Sequence, residues 1–132
     1  MTEKPRTLSR ETKKVLSELG YYYIDKKDFD KAEAIFSCLA NLDDQPAFYY
    51  GLVNVYFAKG DHLHAIDLCR EFLGQHPDDG LIQAYMAENH IFLGQRDQAR
   101  AILNKLAGQQ TEPEVQELVS NLLQGLEQGL GA

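Results

Sequence analysis

The sequence predicts an all-α protein in which three helical hairpins stack into a solenoid and a final helix closes it. Three alanines, Ala32, Ala65 and Ala99, recur at intervals of 33 and 34 residues. A ring-bearing residue lies nine positions before each alanine. A period of this length is typical of stacked helical hairpins, because one hairpin cannot bury its apolar face alone. With 132 residues, 44% of them hydrophobic, we expect one domain over residues 1–132.

Seven helices follow from the spacing of apolar residues and from the turn signals between them. Turns are marked by Lys27-Asp28, Gly60-Asp61 and Gly94-Gln95, and the prolines lie at predicted boundaries. Aspartates before the third and fifth helices are expected to cap them. We place the helices at about 8–26, 29–42, 46–59, 62–75, 79–93, 96–107 and 112–129. The three hairpins then cover about 13–45, 46–79 and 80–111.

The last helix is predicted to begin with a capping box, with Thr111 as the N-cap and Glu114 three residues later. Its apolar residues form one stripe, composed of Val115, Leu118, Val119, Leu122 and Leu126. A solenoid needs its last apolar face covered, so we interpret this segment as a capping helix that packs near Ile102, Leu103 and Leu106. A partner-binding helix is the alternative. Three glycines are expected to make its end fray, namely Gly125, Gly129 and Gly131.

Aligned on the three alanines, the hairpins show small and large residues in the same order. The first has Leu16, Leu19, Gly20, Tyr23, Ala32 and Phe36, the second Tyr49, Leu52, Val53, Tyr56, Ala65 and Cys69, and the third Gln83, Met86, Ala87, His90, Ala99 and Leu103. This order resembles the tetratricopeptide repeat, a helix-turn-helix unit of about 34 residues. The resemblance implies a right-handed superhelix in which the first helix of each hairpin lines a concave face.

The implied concave face is the candidate binding site. By the alignment it contains Tyr21, Ile24, Tyr50, Asn54, Phe57, Leu81, Ala84, Glu88 and Ile91. Most of these side chains are apolar or aromatic, which favours an apolar peptide or an amphipathic helix as the ligand. The segment Pro46–Ala58 carries no charge and five aromatic rings, so more than its own hairpin must cover it. Tyr23, Tyr49 and Tyr56 fall at packing positions and are predicted to be core.

A second resemblance is carried by the order of short motifs. They are Leu19-Gly20-Tyr-x-Tyr23, Phe29-Asp-Lys-Ala-Glu33-x-Ile35-Phe36, Leu42-Asp43, Tyr50-Gly51-Leu52, Gly60-Asp61, Ala65-Ile66 and Ala87-Glu88. In this order they resemble the small cytoplasmic chaperones of bacterial type III secretion. The resemblance implies a chaperone or adaptor that holds an apolar or helical segment of a translocator, needle or export-apparatus subunit. The alternative is a structural scaffold whose uncharged helix is buried in a homo-oligomer.

The same resemblance implies the partners. They are a protein or peptide client, together with either a second small chaperone or a second copy of the chain. Translocator chaperones of this group usually dimerise through a longer N-terminal helical extension, whereas only about twelve residues precede the first repeat here. We expect a cytoplasmic protein without membrane insertion, because the first residues lack the apolar stretch of a signal peptide and no apolar run approaches about 20 residues.

Charge and motif content argue against other classes of protein. The net charge is −7 and most of the Lys and Arg residues precede residue 32, so nucleic acid is not an expected partner. No Ser/His/Asp order, Gly-rich phosphate loop or Cys/His pair stands out, so we assign no catalytic residue and expect no enzyme. Cys38 and Cys69 are expected to be reduced packing residues. His62 and His64 lack a third ligand, so we expect neither a metal nor a cofactor.

Overall fold

A computed structural model describes residues 8–132, and every regular element in that range is an α-helix. The helices are α1 Arg10–Asp25, α2 Phe29–Leu42, α3 Pro46–Ala58, α4 His62–Gln75, α5 Gly80–Phe92, α6 Arg96–Ala107 and α7 Pro113–Glu127. Each bound lies within two residues of its predicted place, and the all-α class is confirmed. None of the helices in this range is long and apolar enough to cross a membrane.

The chain divides into two compact units, one ending at Gly60 and the other beginning at Asp61. The first unit contains α1, α2 and α3, and the second contains α4 to α7. The arrangement of the repeats as one domain stays a prediction.

Left-handed backbone follows α1, α3 and α5. Lys27, Gly60 and Gly94 have φ angles of 61°, 79° and 77° and hold equivalent places in the repeat. Glycine adopts this conformation without steric cost, whereas at a residue such as Lys27 it costs about 1–2 kcal/mol. Asp28 and Asp61 then cap α2 and α4, because each carboxylate accepts a hydrogen bond from a backbone N–H three residues on.

The first unit is organised around the ring of Phe36 in α2, which is fully buried. A Cβ atom added to Gly20 in α1 would lie 2.6 Å from Cε2 of this ring. One added to Gly51 in α3 would lie closer still to Cε1, on the other edge of the ring. Because neither glycine has a side chain, the backbones of α1 and α3 both rest on one aromatic ring. We call this arrangement the Phe36 contact.

Polar contacts add to the packing of the first unit. The Tyr56 hydroxyl in α3 donates a hydrogen bond to the Glu33 carboxylate in α2. The Lys59 ammonium lies 3.7 Å from the other oxygen of that carboxylate and over the Tyr56 ring. Lys13 in α1 forms an ion pair with Asp43, the residue that follows α2. All three helices of the unit are therefore joined by polar as well as apolar contacts.

The acidic cap expected for α3 is wrong, whereas the one expected for α5 is confirmed. The N-cap of α3 is Gln45, whose side chain makes no capping hydrogen bond. The nearby carboxylate of Asp43 is engaged by Lys13 instead. At α5, Asp79 is the N-cap and its carboxylate accepts a hydrogen bond from the backbone N–H of Ile82, with an N–O distance of 2.9 Å.

The core of the second unit is built by α5, α6 and α7. From α7 it receives Val115, Val119, Leu122 and Leu126, all buried, with Leu118 partly buried beside them. These side chains share the core with Leu103 and Leu106 of α6, which are fully inaccessible. The predicted capping role of α7 is therefore confirmed as a matter of packing.

Both ends of α7 differ from the sequence prediction. The N-cap is Glu112, and Thr111 instead accepts a hydrogen bond from the side-chain amide of Gln116 at 2.6 Å. The capping box is absent because Pro113 takes the first helical position and moves the start of the helix by one residue.

The C-terminal end of α7 is capped rather than frayed. The backbone N–H of Leu130 donates to the carbonyl of Gly125 at 2.8 Å, and that of Gly129 donates to Leu126 at 3.2 Å. Gly129 has a φ of 96°. These two bonds and the left-handed glycine form a Schellman motif, so the glycines end the helix in an ordered turn.

The two cysteines lie in different environments. Cys69 in α4 is fully buried, as expected of a packing residue. Burial, and to a smaller extent the charge of Asp79, raises the pKa of its thiol from 9.0 to about 12. Cys38 in α2 is exposed, so its assignment as a packing residue is wrong. The buried face of α2 is formed by Ala32, Phe36 and Leu39, and Cys38 lies beside it.

We predict that Gly51→Ala destabilises the protein. The added methyl group meets the edge of the Phe36 ring, which is already held by Gly20 on its other edge. The resulting overpacking should cost about 1–3 kcal/mol, more than the 0.5–1 kcal/mol that alanine contributes to a helix. Gly74→Ala is the matched control, because a Cβ there meets nothing within 4 Å and should stabilise α4 slightly. Urea unfolding measures the free energy of unfolding of both variants. An equal change in the two variants would contradict the Phe36 contact.

Removal of α7 should destabilise the second unit even when no partner is present. A chain truncated after Gln110 loses the helix that covers Leu103 and Leu106, so apolar core becomes accessible to water. We expect insolubility or a clearly lower melting temperature, measured by circular dichroism and light scattering. A truncated protein that melts like the parent would show that α7 does not serve as a cap.

Candidate protein-binding surface

In the first unit, five predicted site residues occupy one face of α1 and one face of α3. On α1, Tyr21 and Ile24 are three residues apart, and Tyr21 is 41% exposed. On α3, Tyr50, Asn54 and Phe57 follow at spacings of four and three and are half-buried. Residues with these spacings lie on one side of a helix. All five side chains are therefore at least partly accessible, and we call them the α1/α3 surface.

The Phe36 contact positions this surface. Tyr21 directly follows Gly20, and Tyr50 directly precedes Gly51. The Tyr21 ring also packs edge-to-face on Phe36, with 5.0 Å between ring centroids and 68° between ring planes. The two tyrosines are thus attached to backbone segments that rest on the same buried ring.

A cleft of about 620 Å³ lies at the N-terminal ends of α1 and α3. It is lined by Arg10, Lys13, Lys14, Ser17, Gln45, Ala47 and Phe48. Lys14 and Ser17 precede Tyr21 by seven and four residues, and Ala47 precedes Tyr50 by three. These three residues therefore extend the faces that form the α1/α3 surface. The same spacing rule, applied backwards from Tyr21 and from Tyr50, would have found them in the sequence.

Much of the uncharged helix α3 is core. Its buried residues are Phe48, Gly51, Leu52, Val53, Val55 and Tyr56. The prediction that Tyr56 is a packing residue is confirmed, whereas Tyr23 and Tyr49 are half-buried. The uncharged character of α3 therefore reflects both a buried face and the partly accessible face that carries Tyr50 and Phe57.

In the second unit, only two of the four predicted site residues are accessible. Leu81 and Glu88 in α5 are half-buried. Ala84 and Ile91 are fully inaccessible and belong to the core that α5 shares with α6 and α7. Their assignment to an open surface is therefore wrong. The physical reason is that the C-terminal segment also covers α5: a Cβ added to Gly131 would lie 2.6 Å from the backbone oxygen of Ile91.

Two aromatic residues that the sequence analysis missed lie on the accessible face of α5. Tyr85 and Phe92 follow Leu81 by four and eleven residues, which places them on the same side of the helix as Glu88. Phe92 is 51% exposed, and its ring stacks on that of His62 with 5.4 Å between centroids. The four residues Leu81, Tyr85, Glu88 and Phe92 form what we call the α5 surface. Counting spacings of four, three and four from Leu81 would have found it.

Glu88 is the acidic residue of the α5 surface. Burial raises the pKa of its carboxyl group, because a partly desolvated carboxylate is less stable than one in water. An apolar partner that covered Glu88 would desolvate it further. The α5 surface therefore favours an apolar partner most when this group is protonated.

Two of the histidines have structural hydrogen bonds. Nδ1 of His62 lies 2.9 Å from Oδ1 of the fully buried Asn89, whose amide also donates to the carbonyl of Tyr85. Nδ1 of His90 lies 2.6 Å from Oε1 of Gln95. Within residues 8–132, no three His, Cys, Asp or Glu side chains are grouped in a way that would hold a metal ion.

The repeat pattern defines the class of this protein. The tetratricopeptide repeat model matches residues 14–43, and a second tetratricopeptide repeat model matches residues 56–122, about half of the chain. The chain therefore belongs to the tetratricopeptide repeat family.

Several proteins of known structure share the fold. The type III secretion translocator chaperone SycD from Yersinia enterocolitica superimposes with a TM-score of 0.76 at 22% identity, over 91% of each chain. PcrH from Pseudomonas aeruginosa gives 0.75 at 21% identity, over 96% of this chain and 99% of PcrH. PcrH in complex with the chaperone binding region of PopB gives 0.72 at 24% identity, over 88% and 95%. No curated protein matches the sequence significantly.

Glu88→Gln should stabilise the protein at neutral pH. The pKa of Glu88 is raised in the folded state. The folded protein therefore loses stability relative to the unfolded chain as pH rises above 4.5, the ordinary pKa of this group. Glutamine carries no charge, so the variant should unfold at higher urea concentration than the parent at pH 7, and the gap should close near pH 4. Glu117→Gln, on an exposed position of α7, is the control. A gap of the same size at both pH values would contradict a charge effect.

Proposed function

We propose that this protein is a chaperone or adaptor that holds an apolar or helical segment of a partner protein, and that its client is a subunit of a type III secretion system. The observation that carries the proposal is the α1/α3 surface, where aromatic and aliphatic side chains stay partly accessible on helices that a buried ring holds together. Binding by such a surface requires no chemical step, so we propose a role without catalysis.

The chemistry of the surface suits an apolar segment. Tyr50 and Phe57 offer ring faces, and the Asn54 amide between them can donate and accept hydrogen bonds. None of the five side chains that form the α1/α3 surface carries a charge. A partner that enters this surface therefore gains by burying apolar area, at about 25 cal/mol per Å². Covering that area would keep the client from aggregating or assembling before export.

The structural neighbours support the same role. SycD is a translocator chaperone, and PcrH has been solved with the chaperone binding region of PopB. Because both are similar to this chain over almost its whole length, a translocator is the first client to test. Needle and export-apparatus subunits are the next candidates.

Co-expression tests the proposed function. The protein is produced together with each translocator, needle or export-apparatus subunit encoded in the same genome, and the solubility and co-purification of each subunit are measured. We expect one subunit to become soluble only with this protein and to elute with it as a stable complex. If no secretion subunit co-purifies and the protein alone forms a homo-oligomer that buries α3, the scaffold alternative is correct.

We predict that the double substitution Tyr50→Ala and Phe57→Ala weakens client binding without unfolding the protein. Truncating partly accessible rings at the centre of a binding surface typically costs about 2 kcal/mol or more, which corresponds to a loss of thirtyfold or greater in affinity. Isothermal titration measures the affinity and circular dichroism the fold. The paired control is Tyr22→Ala, an exposed ring on α1 outside the surface. Loss of helical signal in the double variant would place these rings in the core.

A further inference from the structure

We propose that the cleft at the N-terminal ends of α1 and α3 binds acidic side chains that flank the apolar segment of the client. The inference rests on the proposed function, since it names a chemical property of the segment that the α1/α3 surface holds. It assigns a direction to the bound segment, with its acidic end at Lys14 and its apolar part along Tyr21 and Tyr50.

The cleft contains positive charge that no described carboxylate of the first unit neutralises. Three of its lining residues are basic, namely Arg10, Lys13 and Lys14. Lys13 is paired with Asp43. Within the described part of the chain, no carboxylate forms a salt bridge with Arg10 or Lys14. Two cationic groups that line one cleft therefore have no acidic partner among residues 8–132 and can pair with an acidic client.

The cleft stands out against the charge of the whole chain. The net charge is −7, so the chain as a whole repels an acidic segment. Helix α3, which carries the other half of the α1/α3 surface, contains no Lys or Arg. A client with acidic residues beside its apolar segment therefore meets favourable charge at the α1 end of the surface. Opposite charges placed in this way fix the register of a partner more than they add to affinity.

Apolar lining of the cleft favours a protein segment over a nucleic acid. Ala47 and the buried ring of Phe48 line it together with the basic residues. It also continues into the α1/α3 surface, because Lys14 and Ser17 share a helix face with Tyr21. An amphipathic helix with an acidic end can contact both parts at once. The phosphates of a nucleic acid would place negative charge against these apolar side chains and against a protein of negative net charge.

The test uses the full chain and four fluorescent peptides. All four peptides share one amphipathic helix of Leu, Ala and Gln. Two of them carry three Glu residues, one at its N-terminal end and the other at its C-terminal end. The other two carry three Lys residues or three Gln residues instead. Fluorescence anisotropy at low salt measures the affinities. We expect one of the two Glu peptides to bind more tightly than the Gln peptide by about two- to fivefold for each ion pair formed. This preference should disappear in about 1 M salt.

Charge reversal in the protein makes the test specific. Arg10→Glu and Lys14→Glu together should turn the preference for Glu into a preference for Lys, while the Gln peptide keeps its affinity. Lys105→Glu, on an exposed position of α6, is the control for altered net charge and should keep the preference for Glu. A reversal in the control as well would show that net charge, and not the cleft, decides the preference.

The outcomes separate this inference from the proposed function. Equal affinity for the Glu, Gln and Lys peptides would overturn the acidic-end inference and leave the apolar surface intact. Failure of every peptide to bind, including the neutral one, would contradict the apolar surface and the inference with it. Tighter binding of an oligo-dT strand that the Arg10 and Lys14 substitutions abolish would identify the cleft as a nucleic-acid site and overturn the inference.

Discussion

The contact between the Phe36 ring and two glycine backbones determines how the first unit is built. Gly20 and Gly51 lie on different helices and meet different edges of one buried ring. A side chain at either position would push its helix away from α2. The tyrosines that follow Gly20 and precede Gly51 would move with those helices. The geometry of the α1/α3 surface thus depends on two positions where there is no side chain at all.

The second unit keeps its helices together in a different way. Its core is a continuous set of aliphatic side chains from α5, α6 and α7, and α7 supplies four of the buried ones. Arg96 at the start of α6 adds a hydrogen bond to the carbonyl of Leu126 near the end of α7. Both α7 and the turn that follows it cover α5. Less of α5 is therefore accessible to solvent than of a helix that is covered on one side. The strip of α5 from Leu81 to Phe92 stays partly accessible.

The sequence predicted the fold well because the fold depends on a period. Ala32, Ala65 and Ala99 are all fully buried, as small residues at helix crossings should be. Site residues were predicted less well, because accessibility depends on what else covers a helix. Ala84 and Ile91 have the correct spacing for an open face, yet the glycine-rich end of the chain lies over Ile91. No periodic pattern in the sequence predicts such a segment. Its glycines were expected to make the helix end fray, whereas in the structure they form a Schellman turn.

The contrast between the two thiols has a practical consequence for experiments on this protein. Cys69 is inaccessible and remains a thiol at neutral pH, since its pKa is raised to about 12. Cys38 stands exposed on α2. A maleimide dye should therefore attach to one native position, because the thiolate is the reactive form and must also be reached by the reagent. The unmodified sequence thus provides a single attachment point for fluorescence distance measurements to a labelled client.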